Sequence, residues 1–442
     1  MPMSRSAGLA GVGLSLRAHL LVLAAVPLSA AVVGQNTAAL PLTAARIASL
    51  PRRQRPSWKA YLERSIRQMQ ADRLALQAEL NRAGMSEPLT PPGAPSARTM
   101  PLNRPPEWYG TPEARHVADI IVSFQTPAGG WSKNLNLADH LRRLGESFAP
   151  NNLSRFLGAG DFDAPHDPHW NYVGTLDNDA TTTELQFLVR VIAALDAGES
   201  ASYRTAFTRG LEYLFAAQFP VGGWPQVWPL EGGYHDAITY NDGAVTETLQ
   251  LLQAVASGSG NFAFVPSALR TRAHAAVARG LTCILATQIV ENGRRTVWGQ
   301  QHDPFTLQPV AGRNYEPPAQ CSSESATLVR FLMDLPDPDP AVVTAVHAAV
   351  AWFRKTAIEG YVYQRGPDGA RLAPSPAAKP IWARYYKIGT GRPIFGDRDK
   401  TIHDTVEELS RERRNGYSWY NYAPQEVLDQ YAAWSQSHPS RD

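Results

Sequence analysis

Gln218-Phe219-Pro220-Val221-Gly222-Gly223-Trp224 is the stretch on which the fold turns, because Gln125-Thr126-Pro127-Ala128-Gly129-Gly130-Trp131 has already set out the same pattern. Each closes an apolar segment: Val117–Phe124 before the first, Tyr203–Ala217 before the second. A looser copy runs from Gln288 through Gly293 to Trp298, and Gly416-Tyr417-Ser418-Trp419 reads as a worn fourth. A second motif alternates with it. Leu176-Asp177-Asn178-Asp179-Ala180 and Tyr240-Asn241-Asp242-Gly243-Ala244 each open a helix that continues to Leu-Gln-x-Leu, at Leu185–Leu188 and Leu249–Leu252. The repeating unit is therefore a polar turn, a helix, a second helix and a Gly/Trp turn. Strand-like alternation is scarce, so the class is all-α. Helical hairpins repeated in this way close into an α/α ring, which brings equivalent helix N-termini to one rim.

Toward the N-terminus, Arg5 and Arg17 precede the apolar run Leu20–Val33, with small residues at Ser29-Ala30-Ala31. That pattern predicts a signal peptide over residues 1–31 and an exported protein. The run is too short and too rich in small residues to read as a membrane span. Residues 32–56, polar with Pro and Arg, are expected to be mobile. Residues 57–107 read as a helix, Trp58–Ala83, followed by a Pro-rich linker over Met85–Pro106. The body of the protein is expected over residues 108–437. A 44% hydrophobic fraction and a mean hydropathy of −0.28 fit a globular chain with a sizeable core. A net charge of +2 argues against a nucleic-acid binder. Aromatic residues with polar tips, 11 Trp and 16 Tyr, suit carbohydrate surfaces although most belong to the core. Cys283 and Cys321 permit one disulfide but make no framework, and Cys283 reads as a buried helix residue.

Three places concentrate polar chemistry. The Asp177-Asn178-Asp179 and Asn241-Asp242 turns hold more carboxylates and amides than capping requires, although Asp179 is a fair cap and Thr181-x-x-Glu184 has capping-box spacing. If both turns face one rim, their oxygens suit a hard cation such as Ca²⁺. Ala311-Gly312-Arg313-Asn314-Tyr315-Glu316 sits in a Pro- and aromatic-rich loop, where an Arg313–Glu316 pair could pin the loop or serve function. Arg384, Lys387, Arg392 and Arg398 cluster with aromatics over Ile381–Lys400, as recognition of an anionic ligand would require, and Lys133 follows the first Gly/Trp turn.

In this order, GGWSKN, TLDNDATTTEL, YNDGAVTETLQLL, QHDPFTLQPVAGRNYEP and RYYKIGTGRPIFGDRDK resemble the family-10 polysaccharide lyases, which are pectate lyases, over about Trp58 to Trp434. The resemblance implies an incomplete α/α toroid that cleaves polygalacturonate by β-elimination with Ca²⁺. It puts Arg313 in the position of the base. Asp177 and Asp242 take metal positions, and Asn178, Arg384 and Arg398 take substrate positions, with Lys133 and Arg392 transferring less closely. Asp179 departs from the pattern, since glycine is expected there. The products would be 4,5-unsaturated oligogalacturonides, and a monomer without stable membrane association is expected. Two other readings keep the ring: a glycoside hydrolase using Asp242 with Glu316 or Glu324, and a non-catalytic binder of acidic glycans.

Overall fold

The computed structural model describes residues 34–94, 100–165 and 167–440; the expected signal peptide lies outside them. Eleven α-helices occur among the described residues: α1 (Ala44–Ser49), α2 (Arg55–Ala83), α3 (Pro112–Ser123), α4 (Thr182–Ala194), α5 (Ala201–Ala217), α6 (Ala244–Ser257), α7 (Ser267–Thr287), α8 (Ser322–Met333), α9 (Pro340–Thr356), α10 (Arg411–Gly416) and α11 (Ala423–Ser437). Strands among them are two to four residues long and knit loops together. The chain is an all-α, incomplete α/α toroid.

Helix sequence decides which layer a helix joins. Helix α4 is buried almost all round, through Leu185, Phe187, Leu188, Val189, Val191 and Ile192, as an inner helix must be. Its partner α5 buries only a stripe, Tyr203, Ala206, Phe207, Leu211 and Leu214, and so lies outside. The pairs α6/α7 and α8/α9 repeat this arrangement, and α11 packs against α8 and α9.

The Gly/Trp turns join neighbouring outer helices. Gln125 donates from one amide nitrogen to the carbonyls of Gly129 and Ala206 on α5, both at 2.8 Å. Gln218 does the same to Gly222 and to Ala276 on α7, both at 2.8 Å. Gln288 reaches Thr296 and Ala345 on α9, both at 2.9 Å. The glycine is needed where the turn meets the next helix. A Cβ on Gly222, at φ +103°, would stand 2.1 Å from the Arg279 carbonyl oxygen, and one on Gly129 2.4 Å from that of Arg209. Each tryptophan then donates its indole N–H to a last-turn carbonyl of the preceding helix, where such groups lack helical partners. Trp131 bonds Ile121, Trp224 bonds Leu214 and Trp298 bonds Ile284, at 2.7–2.8 Å. Trp382 bonds Phe353 and Trp419 bonds Arg413, both at 2.9 Å. The full fourth outer turn is thus Thr356 to Trp382, hidden from sequence by a long hairpin insertion (Tyr361–Gln364 with Arg371–Pro374). Trp419 follows the short α10.

Two expectations need correcting. Residues 34–50, read from sequence as a mobile segment, pack onto the body: Gly34 and Gln35 pair antiparallel with Ile402 and Thr401, and Leu42 and Ile47 are buried. Tertiary pairing supplies an order that local polarity conceals. Nor is the region before Trp108 separate, since Val32–Asp442 forms one unit. On α2, Trp58 packs on Phe219 and Phe305, and the Tyr61 hydroxyl donates to the Ala217 carbonyl at 3.0 Å. The linker-like run that follows α2 is tied down through bridges from Leu89 to Glu146 and from Gly93 to Leu135.

Candidate active site

The inner helices begin at one rim. Before α4, Leu176 has φ/ψ of −104°/2° and Asn178 52°/42°; before α6, Tyr240 has −101°/−3° and Asp242 50°/25°. The turns are thus equivalent residue for residue: Asp177 with Asn241, Asn178 with Asp242, Asp179 with Gly243. Asp179 at φ 64° occupies the left-handed position that Gly243 fills at 74°. It does not cap α4; its backbone carbonyl accepts from Thr182, and no side-chain bond caps that helix. The capping box expected at Thr181 is likewise not formed. The Thr181 hydroxyl serves the fold instead, donating to Thr175 and accepting from Trp131 N–H.

The residue two places after each turn tryptophan points at these helix starts. Lys133 Nζ is 2.5 Å from Asp177 Oδ2, and Gln226 donates to Asp177 Oδ1 at 2.8 Å. Gln300 donates to Asn241 Oδ1 at 2.8 Å. Arg384 pairs with Glu324 at the start of α8 and reaches Asn241 Oδ1 at 3.3 Å. Asn421 donates to Ser322 at 2.9 Å. Sequence reading found Lys133 and Arg384 without this register; applied to every repeat, it would also have found Gln226, Gln300 and Asn421.

The two acidic turns meet at Asn241, whose amide nitrogen donates to Asp177 Oδ1 at 3.2 Å and to Asp242 Oδ2 at 2.9 Å. Burial alone would raise Asp177, but Lys133, Arg313 and the Gln226 hydrogen bond together outweigh it, and the carboxyl lies well below its ordinary range. Asp242 is pushed the other way, by burial first and then by Asp177, with Arg384 opposing. Asn178 lies at the same turn, its amide 3.5 Å from Asn134 Oδ1.

Arg313 stands on a closed turn. Gly312 N–H donates to the Glu316 carbonyl at 3.0 Å, and Arg313 N–H to Glu316 Oε2 at 2.8 Å. Its guanidinium lies between two carboxylates, with Nη1 3.3 Å from Glu316 Oε1 and Nε 3.5 Å from Asp163 Oδ2. Asp163 was not foreseen. It is held by hydrogen bonds from Tyr172 and Tyr234, and by His235 Nε2 at 3.6 Å. Burial favours a neutral Arg313, but its acidic neighbours, the phenols of Tyr234, Tyr172 and Tyr315 and the Glu316 carboxylate, outweigh it, and its pKa lies well above the arginine value. Arg313 shares a cavity of ≈ 220 Å³ with Lys133, Asp163, Tyr315 and Arg398. A buried chain of polar contacts also joins it to the acidic turns. Tyr417 donates to Glu316 Oε1 at 2.8 Å, its oxygen is 2.6 Å from that of Tyr385, and Tyr385 bonds Gln300, which bonds Asn241.

The remaining cations divide. Arg398 lines the same cavity, with its guanidinium bidentate on Glu412 at 2.8 and 3.2 Å. Arg392 lies apart, on the Tyr385–Lys387/Arg392–Pro393 hairpin, 67% exposed and paired with Asp404 at 3.0 Å. Cys283 and Cys321 are both buried free thiols.

Among the described residues no group of three or more Asp, Glu, His or Cys has metal-binding spacing. The donors that do converge, Asp177 and Asp242 bridged only by an amide, are hard oxygens, and at Asp242 burial and Asp177 penalise the charge more than Arg384 relieves it. They fit a hard cation that completes its coordination with substrate and water.

The chain is an α/α toroid whose rim gathers acidic turns, a lysine and three arginines, and the comparisons make it a polysaccharide lyase. Residues 125–428 match the sequence model of the pectic acid lyases, and the chain belongs to that family. A family 10 polysaccharide lyase from Cellvibrio cellulosa is similar in structure, at 30% identity and a TM-score of 0.62, over 78% of this chain and 98% of that one. An aspartate-to-alanine mutant of a family 10 lyase from the same organism, in complex with trigalacturonic acid, matches with the same figures. No curated protein sequence matches the chain.

Proposed function

We propose that the chain is an exported, Ca²⁺-dependent pectate lyase that cleaves polygalacturonate by β-elimination, with Arg313 as the base. The observation that carries this reading is the junction of Arg313 and the two acidic turns through Glu316, Tyr417, Tyr385, Gln300 and Asn241. The trigalacturonic acid complex of the similar lyase supports the substrate class.

Elimination removes the C5 proton of a uronate, which lies α to an anionic carboxylate and is weakly acidic until that charge is neutralised. Asp177 and Asp242 would hold Ca²⁺, with Asn178 beside them. When bound, the ion supplies Lewis-acid neutralisation of the uronate carboxylate. Arg384 and Arg398 bind and neutralise further carboxylate charge as it shifts in the transition state. Lys133 contributes at the same wall, while Arg392 can reach substrate only at an outer position. Arg313 takes the C5 proton in its neutral form. With Glu316 and Asp163 beside it, the resting guanidinium is protonated, so neutral base is scarce. Even from the ordinary arginine value, the neutral form costs roughly 5 kcal/mol at pH ~9. Activity should therefore climb into the alkaline range, as site cations disfavour the arginine charge. The enzyme would act as a monomer. Export rests on residues 1–31, and no helix among the described residues is long and apolar enough to cross a membrane.

Polygalacturonate with Ca²⁺ should yield products absorbing in the ultraviolet from the new C4=C5 bond. Arg313→Ala should lower turnover by about 10²–10⁴-fold, and a chelator should abolish it. Saturated reducing ends without ultraviolet change would mean hydrolysis, and a profile peaking at pH ~5–6, near a raised carboxylate, would mean a carboxylate base.

A further inference from the structure

The turn bearing Arg313 is held by a residue nearly 280 positions earlier in the chain. Asn36 Nδ2 lies 3.2 Å from the Arg313 carbonyl oxygen, 3.0 Å from that of Asn314 and 3.1 Å from that of Glu316. One amide thus gathers three carbonyls of a single turn. Its own orientation is fixed on every side. Asn36 N–H donates to the Lys400 carbonyl at 2.7 Å, its Oδ1 accepts from Thr37 N–H at 3.0 Å, and the preceding two residues pair with Thr401 and Ile402. The side chain is 6% exposed. The family match begins at Gln125, so this support comes from outside the matched region.

We infer that Asn36 is a positioning residue for Arg313, fixing through three backbone carbonyls the turn from which the guanidine reaches substrate. This inference rests on the reading of Arg313 as base. The physical reason is local. Without the donor, three carbonyl dipoles of like orientation crowd one another, and the Asn314 carbonyl loses its partner at a partly buried site. The turn relaxes by tenths of an ångström, enough to misalign a proton transfer. Asp177, Asp242 and Arg384, which the reading assigns to cation and substrate, make no hydrogen bond to Asn36, so binding should be spared.

The test measures kcat and KM on polygalacturonate with Ca²⁺, together with Tm, for Asn36→Ala, Asn36→Ser, Gln35→Ala and Arg313→Ala in the full chain. Asn36→Ala should lower kcat about ten- to a hundredfold with KM within about twofold. Asn36→Ser, which keeps one donor, should recover part of that loss. Gln35→Ala, exposed on the same strand, should behave as wild type. An Asn36→Ala protein with wild-type kcat, or with a loss that tracks KM or Tm alone, overturns the inference. Should Asn36→Ala fail to fold, Asn36→Ser decides by the same criteria against Gln35→Ala. If Arg313→Ala keeps its turnover, the base reading fails, whatever Asn36 does; if Arg313→Ala is inactive and the Asn36 variants are not impaired, only the inference fails.

Discussion

The two acidic turns have one backbone and two electrostatic fates. Asp177-Asn178-Asp179 and Asn241-Asp242-Gly243 share their left-handed residues and their place before an inner helix. Yet Asp177 is locked as a carboxylate by Lys133 and Gln226, whereas Asp242 meets an amide and a like charge. The repeat fixes where oxygens stand; two places after Trp131 it sets Lys133 against Asp177, but two places after Trp298 it sets Gln300 against the amide of Asn241, not against Asp242. A ring of equivalent turns thereby becomes an asymmetric site, with one acid paired to a lysine and the other facing an amide and a like charge.

The sharpest way to break that contrast is Lys133→Met. It leaves Asp177, 1% exposed, without its cation, and should cost about 3–5 kcal/mol of stability, read as a fall in denaturation midpoint in chelator. A loss below about 1 kcal/mol would mean that the Gln226 and Asn241 amides suffice. The opposite sign is expected where a buried carboxylate lacks a cation. Asp72 on α2 is a control remote from the acidic turns: burial raises it to about 6, opposed by the Gln68 amide and by Arg209. Because its folded pKa is raised, the folded state holds the proton longer than the unfolded one. Stability is then lost as pH rises through about 4 to 6 and stays lost above. Asp72→Asn should be neutral at pH ~4 and stabilising by about 3 kcal/mol at pH ~7. Asp242→Asn should also stabilise the cation-free protein, by on the order of 4 kcal/mol at pH ~7, because Asp242 is raised to about 7 even with Arg384 opposing. It should also erase any rise in Tm on adding Ca²⁺, a response that Asp72→Asn keeps.

Much of this was legible in the sequence because the repeat is. Gln125/Gln218 and Trp131/Trp224 announce the outer turns, and the paired Asp/Asn turns announce the inner starts. From these the ring, the shared rim and the residues Asp177 and Asp242 follow. The fourth outer turn was missed because the hairpin after Thr356 stretches its spacing. Asp163 and Asn36 were missed for a different reason. Each acts across more than 100 residues, through a loop or strand with no periodicity, and only tertiary pairing reveals its target. Arg392 shows the converse: a basic cluster in sequence does not mean one surface in space. Glu316, read as the partner of Arg313, turned out to do more, tying that arginine to Tyr417 and so to the acidic turns.

Asp179→Gly is the smallest effect and tests the comparison most directly, because it converts the first turn toward the second. Asp179 holds φ 64°, a region that costs most L-residues about 1 kcal/mol and aspartate somewhat less. Its carboxylate also stands near Glu247, whose pKa burial and Asp179 together push up. Glycine removes both the steric cost and the like charge, but it adds backbone freedom to the unfolded chain, which takes back part of the gain. The net expectation is a stabilisation of roughly 0.5 kcal/mol, with a lowered pKa at Glu247 detectable by carboxylate NMR. If the asymmetry of the site resides in Lys133 and Asn241 as argued, Asp179→Gly leaves Ca²⁺ affinity within about twofold of wild type. A larger loss of affinity would mean that Asp179 itself donates to the cation, and that the departure from glycine at this position belongs to the chemistry of the site.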